Sequence, residues 1–244
     1  MSEFMQVKNQ TETTADLYFY GDIVNDSWMS EWYPEDMCPK DVKDILDSVQ
    51  GKDLNIYVNS GGGSVFGGMA IYNMLKRFNG HKTVHVDGLA GSIASVIMLA
   101  GDKVVVPSTA YVMIHKPWAG TMGNADDFRS MAESLDRIQE GIINVYKENL
   151  KEGVDIAEIE AMVNAETWLT GDQAAQYFNI EVSDVESLNY ADFDNTKYKN
   201  VPQNLIKERP QVQDIATEEP QEVVEQVDAF VLETMSKEID LYLI

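Results

Sequence analysis

Strand-like and helix-like runs alternate along most of this 244-residue chain, and the connections between them are short and rich in glycine. Residues 16–24 are β-prone, with Gly21-Asp22 as a break, and 53–58, 83–86, 103–106 and 111–114 read as further strands. Between them apolar residues recur at three- and four-residue steps, the period of an amphipathic helix. They are Val42, Ile45, Leu46 and Val49, then Met69, Ile71, Tyr72, Leu75 and Phe78, then the apolar run of 92–100. This alternation predicts an α/β fold with a largely parallel sheet. In such a sheet the carboxyl ends of the strands face one crevice, where reactive side chains can meet.

Two of these strand ends carry such groups. In Gly88-Leu89-Ala90-Gly91-Ser92-Ile93-Ala94-Ser95, small residues surround one hydroxyl where a strand gives way to a helix, so the turn can pass close to a substrate backbone. Ser92 is the candidate nucleophile. A serine hydroxyl needs a base to take its proton, and of His81, His85 and His115 only the last ends a β-branched run closed by proline, Lys116-Pro117. The structural alternative is a helix-capping serine and a packed histidine. Asn59-Ser60-Gly61-Gly62-Gly63-Ser64 joins a strand to a helix and by itself reads equally as a flexible turn.

Residues 124–150 are strongly helical, with Phe128, Met131, Leu135, Ile138, Ile142, Val145 and Tyr146 on one stripe. Such a helix is long enough to project from a small core, and part of its stripe is expected to contact another subunit. Short helices at 156–163 and 171–178 and a strand at 180–182 close the domain. Beyond residue 186 the composition shifts. From 200 to 244 there are ten Asp/Glu against three Lys/Arg, and Pro202, Pro210 and Pro220 interrupt any long element. The expected organisation is a flexible start at 1–15, a domain at 16–186 and an acidic linker and disordered tail at 187–244. Val223, Val224, Val227, Phe230, Val231 and Met235 fall near helical spacing within that tail.

Charge narrows the partners. The formal charge of −23 opposes contact with nucleic acid or an anionic membrane. No apolar run reaches the roughly 18 residues of a membrane span. The first 16 residues lack an apolar core, so the expectation is no secretory leader and a cytoplasmic location. A single cysteine, Cys38, excludes an internal disulfide and a cysteine metal cluster. There is no GxxxxGK[ST] phosphate loop, so any ATP dependence would come from a partner. No cofactor or metal is expected.

Gly88-Leu89-Ala90-Gly91-Ser92-Ile93-Ala94 resembles the serine motif of Clp protease proteolytic subunits, and Met113-Ile114-His115-Lys116-Pro117 resembles their histidine motif, in the family's order. The resemblance covers about 17–185. It implies a Clp/crotonase spiral of ββα units, with the long helix as a handle between rings, and hydrolysis of peptide bonds in polypeptide substrates through an acyl-enzyme on Ser92. His115 takes the base's place, and the backbone N–H groups of Gly63 and Ile93 take the oxyanion's. Ser95, a turn further along the helix, is the lesser hydroxyl. Two positions depart from the family's usual pattern: Gly61 stands where proline is usual, and Glu166 stands where the triad aspartate is expected. Asp172 is the alternative carboxylate, and a triad without a third member the remaining one. With the acidic extension, this combination looks like the Clp-type head maturation proteases of tailed phages and prophages. Scaffold and capsid proteins would then be substrates, and the chain would form a homo-oligomeric ring. Two other readings stand beside this one: a catalytically silent ring or scaffold component of the same fold, and a crotonase-like acyl-CoA enzyme.

Overall fold

β1 (Thr14–Ile23), β2 (Asp53–Gly63) and β3 (Lys82–Gly91) lie side by side and parallel, and they build one side of a seven-stranded sheet with β1 at its edge. The computed structural model describes residues 9–25, 36–184 and 193–205. All of these belong to one compact unit, residues 1–206; residues 207–244, including the 223–235 stretch, lie outside the described residues. Helices α1 (Pro39–Ser48) and α2 (Val65–Arg77) connect the first three strands. Each turns an apolar face inward, Val42 and Leu46 from α1 and Ile71, Tyr72 and Leu75 from α2, onto Leu17, Ile56 and Val84 of the strands. The α/β architecture with a parallel sheet is the one expected.

β3 changes partner along its length. Its first half, Thr83 to His85, pairs with β4 (Lys103–Pro107), and its last three residues, Leu89 to Gly91, pair with β5 (Tyr111–Ile114). β3 leads directly into α3 (Ile93–Met98), all six residues of which are buried. β4 continues the sheet to β7 (Glu181–Ser183), whereas β5 pairs antiparallel with β6 (Thr167–Thr170).

Two glycine segments read as turns are strand instead. β2 runs on through Asn59 to Gly63 and pairs with β1 up to Ile23↔Gly63, and β3 runs on through Gly88 to Gly91. Glycine ordinarily punctuates strands, but here it lets backbones meet. A Cβ on Gly63 would stand 2.2 Å from the Ile23 carbonyl oxygen, and one on Gly62 would stand 2.7 Å from Ser92 Cβ. Both residues have positive φ, 107° and 141° for Gly62 and Gly63, which a residue with a side chain adopts only under strain. The break expected at Gly21-Asp22 is a bulge inside a continuous β1.

The long helix is α4 (Ala125–Glu148), opened by a capping box between Asn124 and Asp127. Its 24 residues span about 36 Å. Only Ile142, Ile143, Val145 and Tyr146, near its carboxyl end, are buried, while Phe128 is 54% exposed. α5 (Ile156–Ala165) and α6 (Gly171–Tyr177) flank β6. The boundary expected at 186 falls inside the compact unit. Residues 193–205 form two 3-10 turns, Asn195–Lys197 and Gln203–Leu205, and Phe193 and Tyr198 pack with Leu89, Met113, Tyr111 and Trp168 in a small second core. Aromatic side chains in an otherwise polar stretch gain enough from burial to hold it down.

Candidate active site

The turn that presents Ser92 is a single residue long. β3 ends at Gly91, α3 begins at Ile93, and Ser92 between them has φ 52° and ψ −125°. A non-glycine residue in that region stores about 1–3 kcal/mol of strain, which the surroundings must overcome. They do so by holding the turn at both ends. Ser92 N–H donates to the Met113 carbonyl at 2.9 Å, and the Ser92 carbonyl accepts from Ser95 N–H at 3.0 Å and from Ser95 Oγ at 2.5 Å. Ser95 Oγ also meets Tyr146 Oη at 2.7 Å. Its hydroxyl is thus taken up between α3 and α4, and burial holds the Tyr146 phenol far above its usual range, as a neutral partner. Ser95 lies fully buried and away from the crevice.

His115 follows directly on β5, and its Nε2 lies 2.8 Å from Ser92 Oγ. Burial pushes the imidazole below its usual pKa, while the Glu166 carboxylate pulls partly the other way. The ring is therefore neutral near pH 7. For Nε2 to accept the hydroxyl proton, the ring's own proton must sit on Nδ1.

The partner of Nδ1 is set by strand register. β5 and β6 pair antiparallel with Ile114 opposite Thr167, so the next residues outward, His115 and Glu166, come face to face. Glu166 is the residue that ends α5, at φ 54°. Its Oε2 lies 3.9 Å from His115 Nδ1, and both side chains are about nine-tenths buried. Asp172, the alternative carboxylate, is exposed in the first turn of α6 and is not brought to the histidine.

Ser92, His115 and Gly63 line one cavity of about 280 Å³, with Trp118 at its rim. Ile93 is buried beneath the turn, and its backbone nitrogen stands 3.2 Å from where a Gly62 Cβ would be. Two residues that sequence reasoning assigned to the linker line the same cavity, Lys197 and Tyr198. Tyr198 Oη donates to the Gly61 carbonyl at 2.9 Å, and its ring lies 5.6 Å from that of His115. Lys199 N–H and Asn200 N–H both donate to Glu166 Oε1, at 2.5 and 2.8 Å. The signal available in the sequence was the aromatic pair Phe193 and Tyr198 in a polar stretch.

Gly61, where the resemblance led to an expectation of proline, has a local reason. A Cβ there would stand 2.9 Å from Phe193 Cβ, so the packed segment and a larger residue at 61 compete for one space.

The Clp protease family profile matches residues 44–181, a stretch that holds Gly63, Ser92, Ile93, His115 and Glu166 and more than half of the chain. The chain belongs to the Clp protease family. It is similar to the ATP-dependent Clp protease proteolytic subunits of Bacteroides fragilis, Bacteroides thetaiotaomicron and Porphyromonas gingivalis, with 32%, 31% and 32% identity over 140 residues. The matched stretch is 56% of this chain and 66%, 62% and 62% of those relatives, so the chain spans just under two thirds of the length of the Clp proteins it resembles. The segment 193–205 lies outside the part matched to the Clp protease family.

Proposed function

We propose that this chain is a serine endopeptidase of the Clp type. The observation that carries the reading is the 2.8 Å contact between His115 Nε2 and Ser92 Oγ at the edge of a cavity. Ser92 Oγ attacks the scissile carbonyl carbon while its proton passes to Nε2. The carbonyl oxygen becomes an oxyanion, and the N–H groups of Gly63 and Ile93 are its donors; one such donor is worth about 3 kcal/mol in other serine hydrolases. His115, now an imidazolium, gives its proton to the departing amine. Water then repeats the sequence on the acyl-enzyme, with His115 again as base. Glu166 holds the Nδ1 tautomer and offsets the imidazolium charge.

The outer apolar stripe of α4, exposed Phe128 with half-buried Met131 and Leu135, is the surface through which copies of the chain assemble into a ring. The domain proposed is the unit beginning near residue 16, in a cytoplasmic protein; among the described residues no helix is long and apolar enough to cross a membrane. Scaffold and capsid proteins of a phage head are the proposed substrates, a reading supported by the resemblance noted for Glu166, Gly61 and the acidic extension.

A fluorophosphonate probe is the direct test, followed by incubation with casein and with a phage scaffold protein. Labelling and cleavage that Ser92→Ala abolishes are expected. Undiminished labelling of Ser92→Ala would remove the assignment, and a wild-type chain that neither labels nor cleaves would leave the silent ring component as the better reading.

A further inference from the structure

The segment after the matched domain touches the candidate site at its least constrained member. Glu166 has one more rotatable bond than an aspartate, and left to itself a glutamate side chain samples several rotamers. Here its Oε1 accepts two backbone N–H groups, from Lys199 and Asn200. The Asn200 side chain closes the arrangement from the other side, since Nδ2 donates to the carbonyls of Ala165 at 2.8 Å and of Glu166 itself at 3.0 Å. One residue thus grips both the carboxylate and the positive-φ backbone that carries it. With Oε1 taken, Oε2 is the oxygen left facing His115 Nδ1.

The segment is itself anchored close by. Asp194 caps its first turn through Thr196 N–H and Thr196 Oγ1, at 3.1 and 2.6 Å. The Phe193 ring lies 5.7 Å from those of both Trp168 and Tyr198. Tyr198 stays protonated because burial, with Asp22, Glu166 and Asp194 adding to it, pushes its pKa up to about 12; its hydroxyl is therefore a standing donor to Gly61.

We propose that Asn200 is a positioning residue for the Ser92–His115 pair, and that the 193–200 strap exists in this chain to hold the longer glutamate carboxylate against His115. The proposal rests on the peptidase reading for its consequence, but its geometry does not depend on which substrate is cut. A strap that orients Glu166 speeds the reaction; a strap that merely plugs the cavity, which Lys197 and Tyr198 also line, slows it. The two make opposite predictions for the same variant.

The test uses the full chain, a Ser92→Ala control and four variants: Asn200→Ala, Asn200→Asp, Glu166→Gln and the double variant Asn200→Ala with Glu166→Gln. Asn200→Asp keeps the shape and removes the two side-chain donors, so it separates loss of the grip from loss of bulk. Two quantities are read: the rate of fluorophosphonate labelling at Ser92, and the titration midpoint of His115 by NMR. The ionisable groups facing His115 are Glu166, Tyr198 and, around the adjoining cavities, Asp22, Lys116, Lys197 and Lys199; none but Glu166 is altered in these variants, apart from the carboxylate that Asn200→Asp adds.

Loss of positioning lowers labelling by about ten- to a hundredfold in Asn200→Ala, the scale of a misplaced catalytic group, and in Asn200→Asp. The His115 midpoint moves to lower pH in Asn200→Ala, in the same direction as in Glu166→Gln. The double variant is no slower than Glu166→Gln alone, because residues acting through one another are not additive. Wild-type labelling in Asn200→Ala, faster labelling, or a further loss in the double variant equal to that of the single one would each overturn the proposal. Failure of the peptidase reading looks different: Ser92→Ala would label like wild type, while the His115 midpoints would still report whether Asn200 holds Glu166.

Discussion

Glu166 Oε2 stands 3.9 Å from His115 Nδ1, about one ångström beyond a hydrogen bond, while the other ring nitrogen is already 2.8 Å from Ser92 Oγ. The pair is close enough for charge to be felt and is poised to tighten when the ring becomes an imidazolium. Hydrogen bonds of this kind are often long before substrate arrives.

Glu166→Gln is expected to keep the fold and lower turnover by about 10⁴, the cost of the corresponding aspartate-to-asparagine change in a serine triad. The pH profile carries a second signature. Activity requires neutral His115, whose pKa burial has lowered from 6.5, so the acid limb of kcat/KM lies below pH 6.5. The Glu166 charge opposes that shift; without it the imidazole is harder to protonate and the limb moves to still lower pH. Near-normal turnover with an unmoved limb, beside an inactive Ser92→Ala, would reduce the site to a serine-histidine dyad.

Strain at Ser92 predicts a stability difference between two inactive variants. Ser92→Ala keeps a side chain at φ 52° and keeps the strain. Ser92→Gly releases about 1–3 kcal/mol and loses about 0.4–1 kcal/mol to the greater freedom of the unfolded chain. The glycine variant should melt a few degrees above the alanine variant. Calorimetry decides it, and equal melting temperatures would mean that the strain is no larger than the roughly 0.4–1 kcal/mol the glycine loses in the unfolded chain.

Ser95→Ala separates the two serines. It strips the Tyr146 hydroxyl of its partner in a fully buried place, at a cost of about 1–3 kcal/mol, yet fluorophosphonate should still label the chain at Ser92. Labelling lost in Ser95→Ala and retained in Ser92→Ala would exchange their roles.

Phe128→Glu tests the outer part of α4. Native mass spectrometry should find an assembly of several copies for the wild type and a smaller one for the variant, which should keep the fold of the chain because Phe128 is largely exposed within it. A monomeric wild type at micromolar concentration would remove the expectation of a ring.

Ser92, His115 and the course of α4 were legible because each rests on a local pattern: small residues around a hydroxyl, a proline-closed strand end, an apolar stripe. Glu166 became visible only through resemblance, since its nearness to His115 depends on the β5–β6 register, and β6 is four residues long. The strand character of 59–63 and 88–91 was hidden because glycine marks a turn when read alone. What makes those stretches strands is a neighbour's backbone, Ile23 in one case and Met113 in the other. The strap at 193–200 was hidden by its largely polar composition, in which only the aromatic pair Phe193 and Tyr198 marks it for burial; two of its bonds to Glu166 come from main-chain donors, which every residue type but proline supplies.

Ser95 has a wider consequence than its exclusion as a nucleophile. Its hydroxyl passes one interaction from Tyr146, at the rooted end of α4, to the carbonyl of Ser92. The first thirteen residues of that helix, 125–137, about 20 Å at 1.5 Å each, extend from the root outside the chain's own core. The root of the helix therefore stands two hydrogen bonds from the reactive turn, and the outer surface that carries Phe128 belongs to the same rigid element.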